Sequence, residues 1–396
     1  MSKLSKKLNQ ARTRFVSRYV PKNTALRPTG IAGASNPPEG VTYHPVLSGV
    51  INSLDIPDAL YERLSPFGKP AERSVSVDYR VAEITNGRIF NPNEATVAVI
   101  SSDNRLLGDM SFNYAMGRVV SPELNKVFQL SNFPNPKHCE GTVFSLLTGG
   151  GGANNYAHWL IDSLSRLHLL RLSGLYDSVD RFLVPEPRYD FQADSLKYLG
   201  IDRSQLITDA EHHHFTADRL ITSTAPRGDS VIIPKWVTDF HREAFLKARK
   251  LRDFEAPLVY VRRSDSSMRN VLNEDALVAH LAERGFRSFE MASLPFLDKI
   301  ALFAGAQVVV SVHGAGLANI MFCPESAHFV ELFPEQFVLT TYADLAFNVG
   351  LGYSHMLCPS PVRAKDGKEG QKVHVTVDID ALDALLDPVL EKLKAS

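Results

Sequence analysis

The segment from residue 308 to residue 319 constrains the fold of this chain more than any other. Its first five residues, Val-Val-Val-Ser-Val, have the pattern of a buried strand, and small residues and a helical pattern follow them. In an open α/β sheet, ligands bind at the carboxyl ends of strands. Gly314 and Gly316 have no Cβ, so a ligand can approach the backbone, and the N–H groups that open the next helix can hold an anion. The segment therefore predicts an α/β fold with a phosphate site at this loop.

The size and charge of the chain exclude some classes of protein. A length of 396 residues exceeds what one core usually organises, so we expect two domains. Lys and Arg total 43 against 44 Asp and Glu, so no overall field favours DNA or RNA, and nucleic acid is not an expected partner. The oligomeric state cannot be read from these features.

Cysteine spacing and hydropathy favour a cytoplasmic protein. Cys139, Cys323 and Cys358 are far apart, without the spacing of a disulfide framework or a zinc site. The sequence has no run of about twenty apolar residues and no secretory signal pattern, so we expect neither a membrane span nor export.

Residues 1–22 carry several lysines and arginines and no acidic residue, and Leu4, Leu8 and Phe15 fall at helical spacing beside those charges. A helix lying on the inner face of an anionic membrane has this pattern. A solvated basic arm has it too. The sequence leaves both interpretations open.

The remaining pattern predicts three parts. Residues 1–70 form the basic arm and a linker rich in Pro and Gly. Residues 71–234 begin with a β-rich decoration and continue as an α/β unit, and residues 235–396 alternate strands with helices and end in a closing helix. The fold class that we predict is α/β with two Rossmann-like domains.

Three segments together resemble glycosyltransferase family 61. They are residues 155–162 (Asn-Tyr-Ala-His-Trp-Leu-Ile-Asp), residues 260–263 with residues 269–274, and residues 313–316 followed by residues 331–334. The resemblance implies a GT-B-like fold with the two domains facing across a cleft. It implies inverting transfer from a nucleotide sugar, for which we expect a UDP-sugar, to a glycan or other hydroxyl acceptor. The first domain would then face the acceptor, and the C-terminal domain would hold the nucleotide.

His158 and Asp162 are four residues apart, so in a helix they share one face, which Arg166 continues. Inverting transfer needs a group that takes the proton of the acceptor hydroxyl, and either side chain can do so. Alternatively, His158 caps the helix and Asp162 pairs with Arg166 on a solvated face. The sequence does not decide which of the two residues is the base.

Arg263 and Arg269 occupy the arginine positions of the family pattern, whereas Arg262 stands where the family usually has a small polar residue. Guanidinium groups can bind a diphosphate bidentately and neutralise it as it leaves. Asn273, in the same motif, is assigned to the nucleotide site. The arginine doublet could instead pair with Asp265 or Glu274, and Glu274 could cap the following helix.

In the 313–317 loop, we predict that His313 donates to the pyrophosphate and that backbone amides contribute from Gly314, Ala315, Gly316 and Leu317. A hydrogen-bonded core histidine is the alternative for His313. Glu331 follows a buried strand, where its carboxylate could accept both ribose hydroxyls, or could form a buried ion pair. The glycine run at residues 149–152, with Asn154 and Asn155, is a candidate wall for the acceptor or a flexible turn.

No metal site and no cofactor beyond the donor are expected. The Glu-His-His-His run at residues 211–214 lacks helical metal spacing, and the Asp-Ile-Asp triplet at residues 378–380 precedes the closing helix. The loop lacks the third glycine of a dinucleotide fingerprint, and no G-x-S-x-G elbow is present. The sequence therefore favours a metal-independent glycosyltransferase of bacterial surface polysaccharide or capsule synthesis. The alternative is a non-catalytic glycan- or nucleotide-binding protein with the same fold.

Overall fold

The computed structural model describes residues 23–66, 68–93, 95–115, 118–148, 150–247, 250–264 and 266–395. The predicted basic arm, residues 1–22, lies outside the described residues. No helix in the described ranges is long and apolar enough to span a membrane.

The first sheet is mixed and contains twelve strands within the described residues. The strands are β1 (Ile31–Ala32), β2 (Val41–Ser53), β3 (Ser74–Thr85), β4 (Arg88–Asn93), β5 (Thr96–Ile100), β6 (Leu106–Leu107), β7 (Phe112–Ala115), β8 (Arg118–Val119), β9 (Lys137–Ser145), β10 (Arg181–Val184), β11 (Leu206–Thr208) and β12 (His214–Ser223). The main path is β1-β6-β5-β4-β12-β9-β10-β11. Strands β12, β9, β10 and β11 are mutually parallel, and β3 and β4 pair with β12 in antiparallel register.

The second sheet is wholly parallel. Its strands are β13 (Leu258–Arg262), β14 (Arg287–Glu290), β15 (Val308–Val312), β16 (His328–Pro334) and β17 (Gly352–Cys358). Their order is β14-β13-β15-β16-β17, so the direction of winding reverses between β13 and β15. A crevice opens at such a switch point in doubly wound sheets, beyond the carboxyl ends of the two strands.

The α-helices are α1 (Asp58–Arg63), α2 (Tyr156–His158), α3 (Arg166–Leu172), α4 (Asp190–Tyr198), α5 (Lys235–Arg242), α6 (Glu274–Glu283), α7 (Phe296–Ala304), α8 (Thr341–Val349), α9 (Gly367–Gly370) and α10 (Ile379–Lys394). A π-helical turn, Trp159–Leu164, joins α2 to α3, and another, Glu243–Lys247, extends α5. The segment after β15 is a 3₁₀ helix, Ala315–Phe322.

The hydrophobic core is continuous between the two sheets. One cluster of buried side chains runs from Phe144 on β9, through Trp159 and Leu160, to Val259 on β13 and Val309 on β15. Helices and sheets therefore pack as layers around a shared core, and this packing fixes the ends of β13 and β15 relative to α2.

The prediction of an α/β fold with parallel sheets is confirmed, and the alternation predicted over residues 257–332 matches β13 to β16. The β-rich decoration does not stand apart, because its strands join the first sheet. Strand β2 and helix α1 lie within residues 1–70, where the sequence predicts an arm and a linker. The Pro and Gly content of that segment marks turns between these elements. The facing GT-B arrangement stays a prediction.

Candidate active site

A cavity of about 900 Å³ lies at the switch point of the second sheet, and both halves of the chain line it. The C-terminal half contributes the ends of β13 and β15, represented by Arg263 and His313. The N-terminal half contributes His158 and Arg227. Cavities of this size, with a few convergent polar groups, are typical of small-molecule sites.

Gly314 and Arg263 fit together at the edge of the cavity. A Cβ on Gly314 would lie 2.1 Å from Nη1 of Arg263 and 2.6 Å from its Cζ. The guanidinium is held there by hydrogen bonds to Ser266 Oγ (2.9 Å) and Met268 O (3.0 Å). Gly314 has an extended backbone with φ −174°, which any residue adopts, so the need for glycine is steric.

Gly316 is constrained in the same way, because a Cβ there would lie 2.7 Å from Cγ of Met291. Ala315 and Gly316 line the cavity, whereas Gly314 and Leu317 border a smaller recess beside it. The predicted phosphate loop therefore has the two close contacts that explain both glycines. We call Arg263, Arg269, His313 and the Gly314–Gly316 backbone the cradle.

Arg269 is buried and fixed despite an unfavourable backbone. Its φ of +56° lies in the left-handed region, which non-glycine residues rarely adopt. Its Nε donates to His313 O (2.8 Å), its Nη1 donates to Gln371 O (2.5 Å), and its guanidinium lies 5.1 Å from the centre of the Phe337 ring. Burial lowers the pKa of Arg269 to about 10, with a further contribution from the charge of Arg263, so the side chain stays cationic at neutral pH.

His313 and Glu331 form a buried pair behind the cradle. His313 Nδ1 lies 2.6 Å from Glu331 Oε1, and the Tyr353 hydroxyl donates to Glu331 Oε2 (2.9 Å). Burial raises the pKa of Glu331 well above its ordinary value, although the Tyr353 bond opposes the shift. Burial, followed by the charges of Arg269 and Arg263, lowers the pKa of His313.

These shifts favour the neutral forms of both groups, with one proton shared between Glu331 Oε1 and His313 Nδ1. Nε2 of His313 then carries a hydrogen and acts as a donor. Both oxygens of Glu331 are bonded and its side chain is fully buried. The structure therefore does not support the predicted contact between Glu331 and ribose hydroxyls, and Glu331 instead orients His313.

His158, Asp162 and Arg227 form a second polar group across the cavity. His158 Nδ1 lies 2.6 Å from Asp162 Oδ2, and Arg227 donates Nε to Asp162 Oδ1 (2.7 Å) and Nη2 to Oδ2 (2.7 Å). Burial alone would raise the pKa of Asp162. The charge of Arg227, together with hydrogen bonds from His158 and Arg227, outweighs burial and lowers that pKa to about 2.

Asp162 is therefore a carboxylate at neutral pH, and Nδ1 of His158 donates to it. The other nitrogen of the ring, Nε2, is then the basic one. The Asp162 side chain is 6% exposed, whereas that of His158 is 33% exposed and lines the cavity. Between the two candidates for the base, the geometry favours His158, with Asp162 orienting its ring.

The helix that carries these residues differs from the prediction in one respect. Its N-cap is Asn155, whose Oδ1 accepts from the backbone of Ala157 (3.0 Å) and His158 (3.2 Å). The π-helical turn then changes the register, so Arg166 does not continue the face of Asp162. Arg166 is fully buried and donates to Leu147 O (2.6 Å) and to side chains of β12. Neither the predicted Asp162–Arg166 pair nor a His158 cap is present.

Other predicted residues lie outside the cavity. Asn273 donates Nδ2 to Val377 O (2.8 Å) and accepts from Val377 N (3.0 Å), which ties α6 to the C-terminal segment instead of to a nucleotide. Arg262 lies 3.5 Å from Glu274 and takes no part in lining the main cavity. This is the alternative pairing that the sequence left open for the doublet.

Arg227 and Lys299 are among the cavity side chains that the sequence prediction does not include. Arg227 lies in a loop after β12 with no motif around it, and only the fold brings it to Asp162. Lys299 lies on α7 in an apolar stretch, with its Nζ 5.6 Å from the centre of the Tyr156 ring. The sequence signal that could have identified Lys299 is a single lysine on a largely buried helix.

The weaker motifs have structural roles. His214 bonds to Pro134 O (2.6 Å) and Arg88 (3.0 Å), and no group of three or more His, Cys, Asp or Glu in the described ranges could hold a metal. Asp378 caps α10 by accepting from Ala381 N (3.1 Å). In the glycine run, Gly150–Ala153 form a 3₁₀ turn, and the neighbouring Asn154 and Asn155 line the cavity.

The family model described as Glycosyltransferase 61 matches residues 156–330. This range contains α2, the arginine motif and the cradle loop. A curated relative, the EGF domain-specific O-linked N-acetylglucosamine transferase of Drosophila melanogaster, is 35% identical over 68 residues. The match covers 16% of this chain and 13% of the length of that relative.

Two solved structures are also similar. The iron-containing dodecameric glycosyltransferase TibC from enterotoxigenic E. coli H10407 has 12% identity and a TM-score of 0.35, with 94% of this chain and 100% of that chain covered. Dodecameric iron-containing heptosyltransferase TibC in complex with ADP-D-beta-D-heptose has 13% identity and a TM-score of 0.31, with 80% and 93% covered.

Proposed function

Because residues 156–330 of this chain match the family model described as Glycosyltransferase 61, we propose that the protein transfers a sugar from a UDP-sugar to a hydroxyl group of a glycan acceptor, with inversion at the anomeric carbon. One observation carries this proposal. His158, whose ring bonds to Asp162, lines the cavity from one half of the chain, and Arg263, Arg269 and His313 of the cradle line it from the other. A base on one side and an anion site on the other is the arrangement that in-line displacement requires.

His158 acts as the general base. Nε2 takes the proton of the acceptor hydroxyl while the hydroxyl oxygen forms a bond to the anomeric carbon. Asp162 accepts a hydrogen bond from Nδ1 and stabilises the imidazolium that forms, and Arg227 keeps Asp162 ionised. A positioned base of this kind contributes about 10²–10⁴-fold to the rate.

The cradle stabilises the leaving group. The bond between the anomeric carbon and the diphosphate oxygen breaks, and its electron pair stays with the diphosphate. Arg263 and Arg269 bring two positive charges, and His313 brings a neutral donor from Nε2. Fixed charges in a partly enclosed site can neutralise a departing diphosphate. We therefore propose that transfer proceeds without a divalent cation.

A non-catalytic nucleotide-binding protein would need the cradle alone. The His158–Asp162–Arg227 group favours catalysis, because a buried carboxylate that orients a cavity-lining histidine has no evident use in binding only. The two functions differ in the product, since only the enzyme releases free UDP when a donor and an acceptor are both present.

Thermal stabilisation by a panel of nucleoside diphosphates and UDP-sugars, with NAD as a control, tests the donor site. We expect UDP and a UDP-sugar to raise the melting temperature in chelator as much as in magnesium. Arg263→Gln should abolish the effect, whereas the matched variant Arg262→Gln, at the neighbouring arginine outside the main cavity, should keep it. A response that needs magnesium would contradict metal independence, and no response to any nucleotide would contradict the donor site.

The biological setting rests on the family resemblance. We propose that the acceptor belongs to a bacterial surface polysaccharide that is assembled in the cytoplasm. The described cysteines are unpaired as disulfides, as a reducing compartment requires. Product analysis by NMR of the anomeric proton, with the acceptor glycan of the native host, tests both the linkage and inversion.

A further inference from the structure

We propose that the hydrogen bond between Tyr156 and Asn319 sets the position of the base relative to the cradle, so that both are positioning residues of the transfer reaction. We call these two residues the bridging pair. The inference rests on the proposed function, because it concerns how the base and the leaving-group site of that reaction are held together.

The bridging pair joins the two halves of the chain. Tyr156 is the first residue of α2, in the N-terminal half, and its hydroxyl donates to Asn319 Oδ1 (2.7 Å). Asn319 belongs to the 3₁₀ helix that follows β15, in the C-terminal half. Burial raises the pKa of Tyr156, so the hydroxyl keeps its proton and acts as the donor at neutral pH.

Asn319 also holds the loop of the cradle. Its Nδ2 donates to Gly316 O (2.8 Å), three residues earlier in the chain. Gly316 lines the cavity and fits closely against Met291. The Asn319 amide is therefore bonded at both ends, with its nitrogen on the cradle and its oxygen on the helix that carries the base.

The bond acts on the base through a short helical segment. His158 is two residues after Tyr156, in the same turn of α2. The Tyr156 ring packs edge-on against Phe191 and Phe296, with ring centres 5.0 and 6.5 Å away. Because a helical turn moves as a unit, a shift of Tyr156 relative to Asn319 also shifts His158 relative to the cradle.

Packing alone does not account for polar groups at these two positions. Asn319 is fully buried, and its neighbours Leu317, Ala318 and Ile320 are buried apolar residues of the shared core. Burying an amide and a hydroxyl has a cost that two apolar side chains would avoid. A buried polar pair instead favours one arrangement of the two halves, because any other arrangement leaves its polar groups unsatisfied. Catalysis needs such an arrangement, since small displacements of reacting groups slow the chemical step.

Steady-state kinetics and UDP calorimetry of Tyr156→Phe test the proposal. The variant keeps the ring and removes the bridging bond, so we expect kcat at saturating UDP-sugar and acceptor to fall about tenfold. UDP affinity should stay within about twofold of the wild type, because Asn319 still holds Gly316. The acidic limb of the pH profile of kcat should not move, because the contact between His158 and Asp162 is kept.

Tyr79→Phe is the matched control. Tyr79 is fully buried, and its hydroxyl accepts from Asn52 Nδ2 (2.8 Å) within the first sheet. Both substitutions remove one buried hydrogen bond and should lower the melting temperature by similar amounts, but only Tyr156→Phe should lower kcat. In an Asn319→Ala background, where the hydroxyl has lost its acceptor, Tyr156→Phe should not lower kcat further.

Three results would overturn the role of the bridging pair. They are equal kcat values in Tyr156→Phe and Tyr79→Phe, a fall in UDP affinity as large as the fall in kcat, and additive losses of kcat in the double variant. In each case, transfer by the wild type would leave the proposed function standing. If the wild type transfers no sugar from any UDP-sugar, the proposed function fails and the role of the bridging pair fails with it.

Discussion

Replacing Gly314 with alanine should displace Arg263 without disturbing the fold. The new Cβ would lie 2.1 Å from Nη1 of Arg263, whereas ordinary contacts begin near 3.4 Å. The guanidinium must therefore move by more than about 1 Å, which breaks hydrogen bonds whose useful range is only about 0.5 Å wide. Because the backbone of Gly314 is extended, alanine itself adds no backbone strain there.

The size of the effect follows from the bonds of that guanidinium. The guanidinium of Arg263 donates to Ser266 and Met268. It is the end of a flexible, half-buried side chain, so water can replace these partners. We expect a stability loss of about 1 kcal/mol. The proposed bond from Arg263 to the diphosphate would be charge-assisted, and its loss should cost about 1.5–3 kcal/mol, or roughly 10- to 100-fold in UDP affinity.

Calorimetric UDP titration of Gly314→Ala and the matched control Gly305→Ala measures this effect. Gly305 has negative φ, and the nearest atoms to a Cβ there lie at 3.8 Å, so its variant should bind UDP like the wild type. In an Arg263→Ala background, Gly314→Ala should have no further effect on affinity. An equal loss with and without Arg263 would refute the steric explanation.

Two further variants test buried carboxyl groups. Glu331→Gln should keep UDP affinity within about threefold, because an amide can replace a protonated carboxyl between His313 and Tyr353; a loss beyond about tenfold would show that the carboxylate is required. Burial raises the pKa of Asp344 to about 8, against opposing effects of the Ile233 N–H and the Arg227 charge. The folded state then binds a proton that the unfolded state releases above pH 4, so stability should fall as pH rises from about 4 to 8. Asp344→Asn should remove this part of the pH dependence, which urea denaturation at pH 5 and pH 8 measures as a change in the free energy of unfolding. The same change in the variant as in the wild type would contradict this prediction.

The closeness of the cradle residues could be predicted from the sequence, because these residues belong to local patterns. Arg263 follows a buried strand, and His313 with Gly314 follows another. The carboxyl ends of parallel strands meet at one edge of a sheet, so strand patterns alone place these residues close together. The structure adds the reason for the two glycines: Gly314 leaves room for Arg263, and Gly316 leaves room for Met291.

Glu331 shows where such reasoning fails. Its place near the end of a strand predicts a cavity-lining carboxylate, yet it lies in β16, where every residue after His328 is buried. A neutral histidine–carboxyl pair depends on tertiary burial, which single-sequence patterns do not report. The alternative of a buried partner, which the sequence left open, is closer to the structure.

The contacts of Arg227 and Arg166 also could not be predicted from local sequence patterns. Helical spacing predicts that Arg166 follows Asp162, but the π-helical turn rotates it into the first sheet. Arg227 reaches Asp162 from a position 65 residues away. Neither a helix defect nor a long-range ion pair has a signal in local periodicity, so the sequence alone gives no reason to choose between His158 and Asp162.

The rate of transfer at saturating UDP-sugar decides whether His158 is the base of the proposed transfer reaction. His168, on the same helical segment, stacks on Trp236 outside the cavity, so His168→Gln is a matched control. We predict that His158→Gln lowers kcat by about 100-fold or more while its affinity for UDP is unchanged, and that His168→Gln retains activity. Equal rates in the two variants, or an equal fall in UDP affinity and kcat in His158→Gln, would show that His158 is not the base.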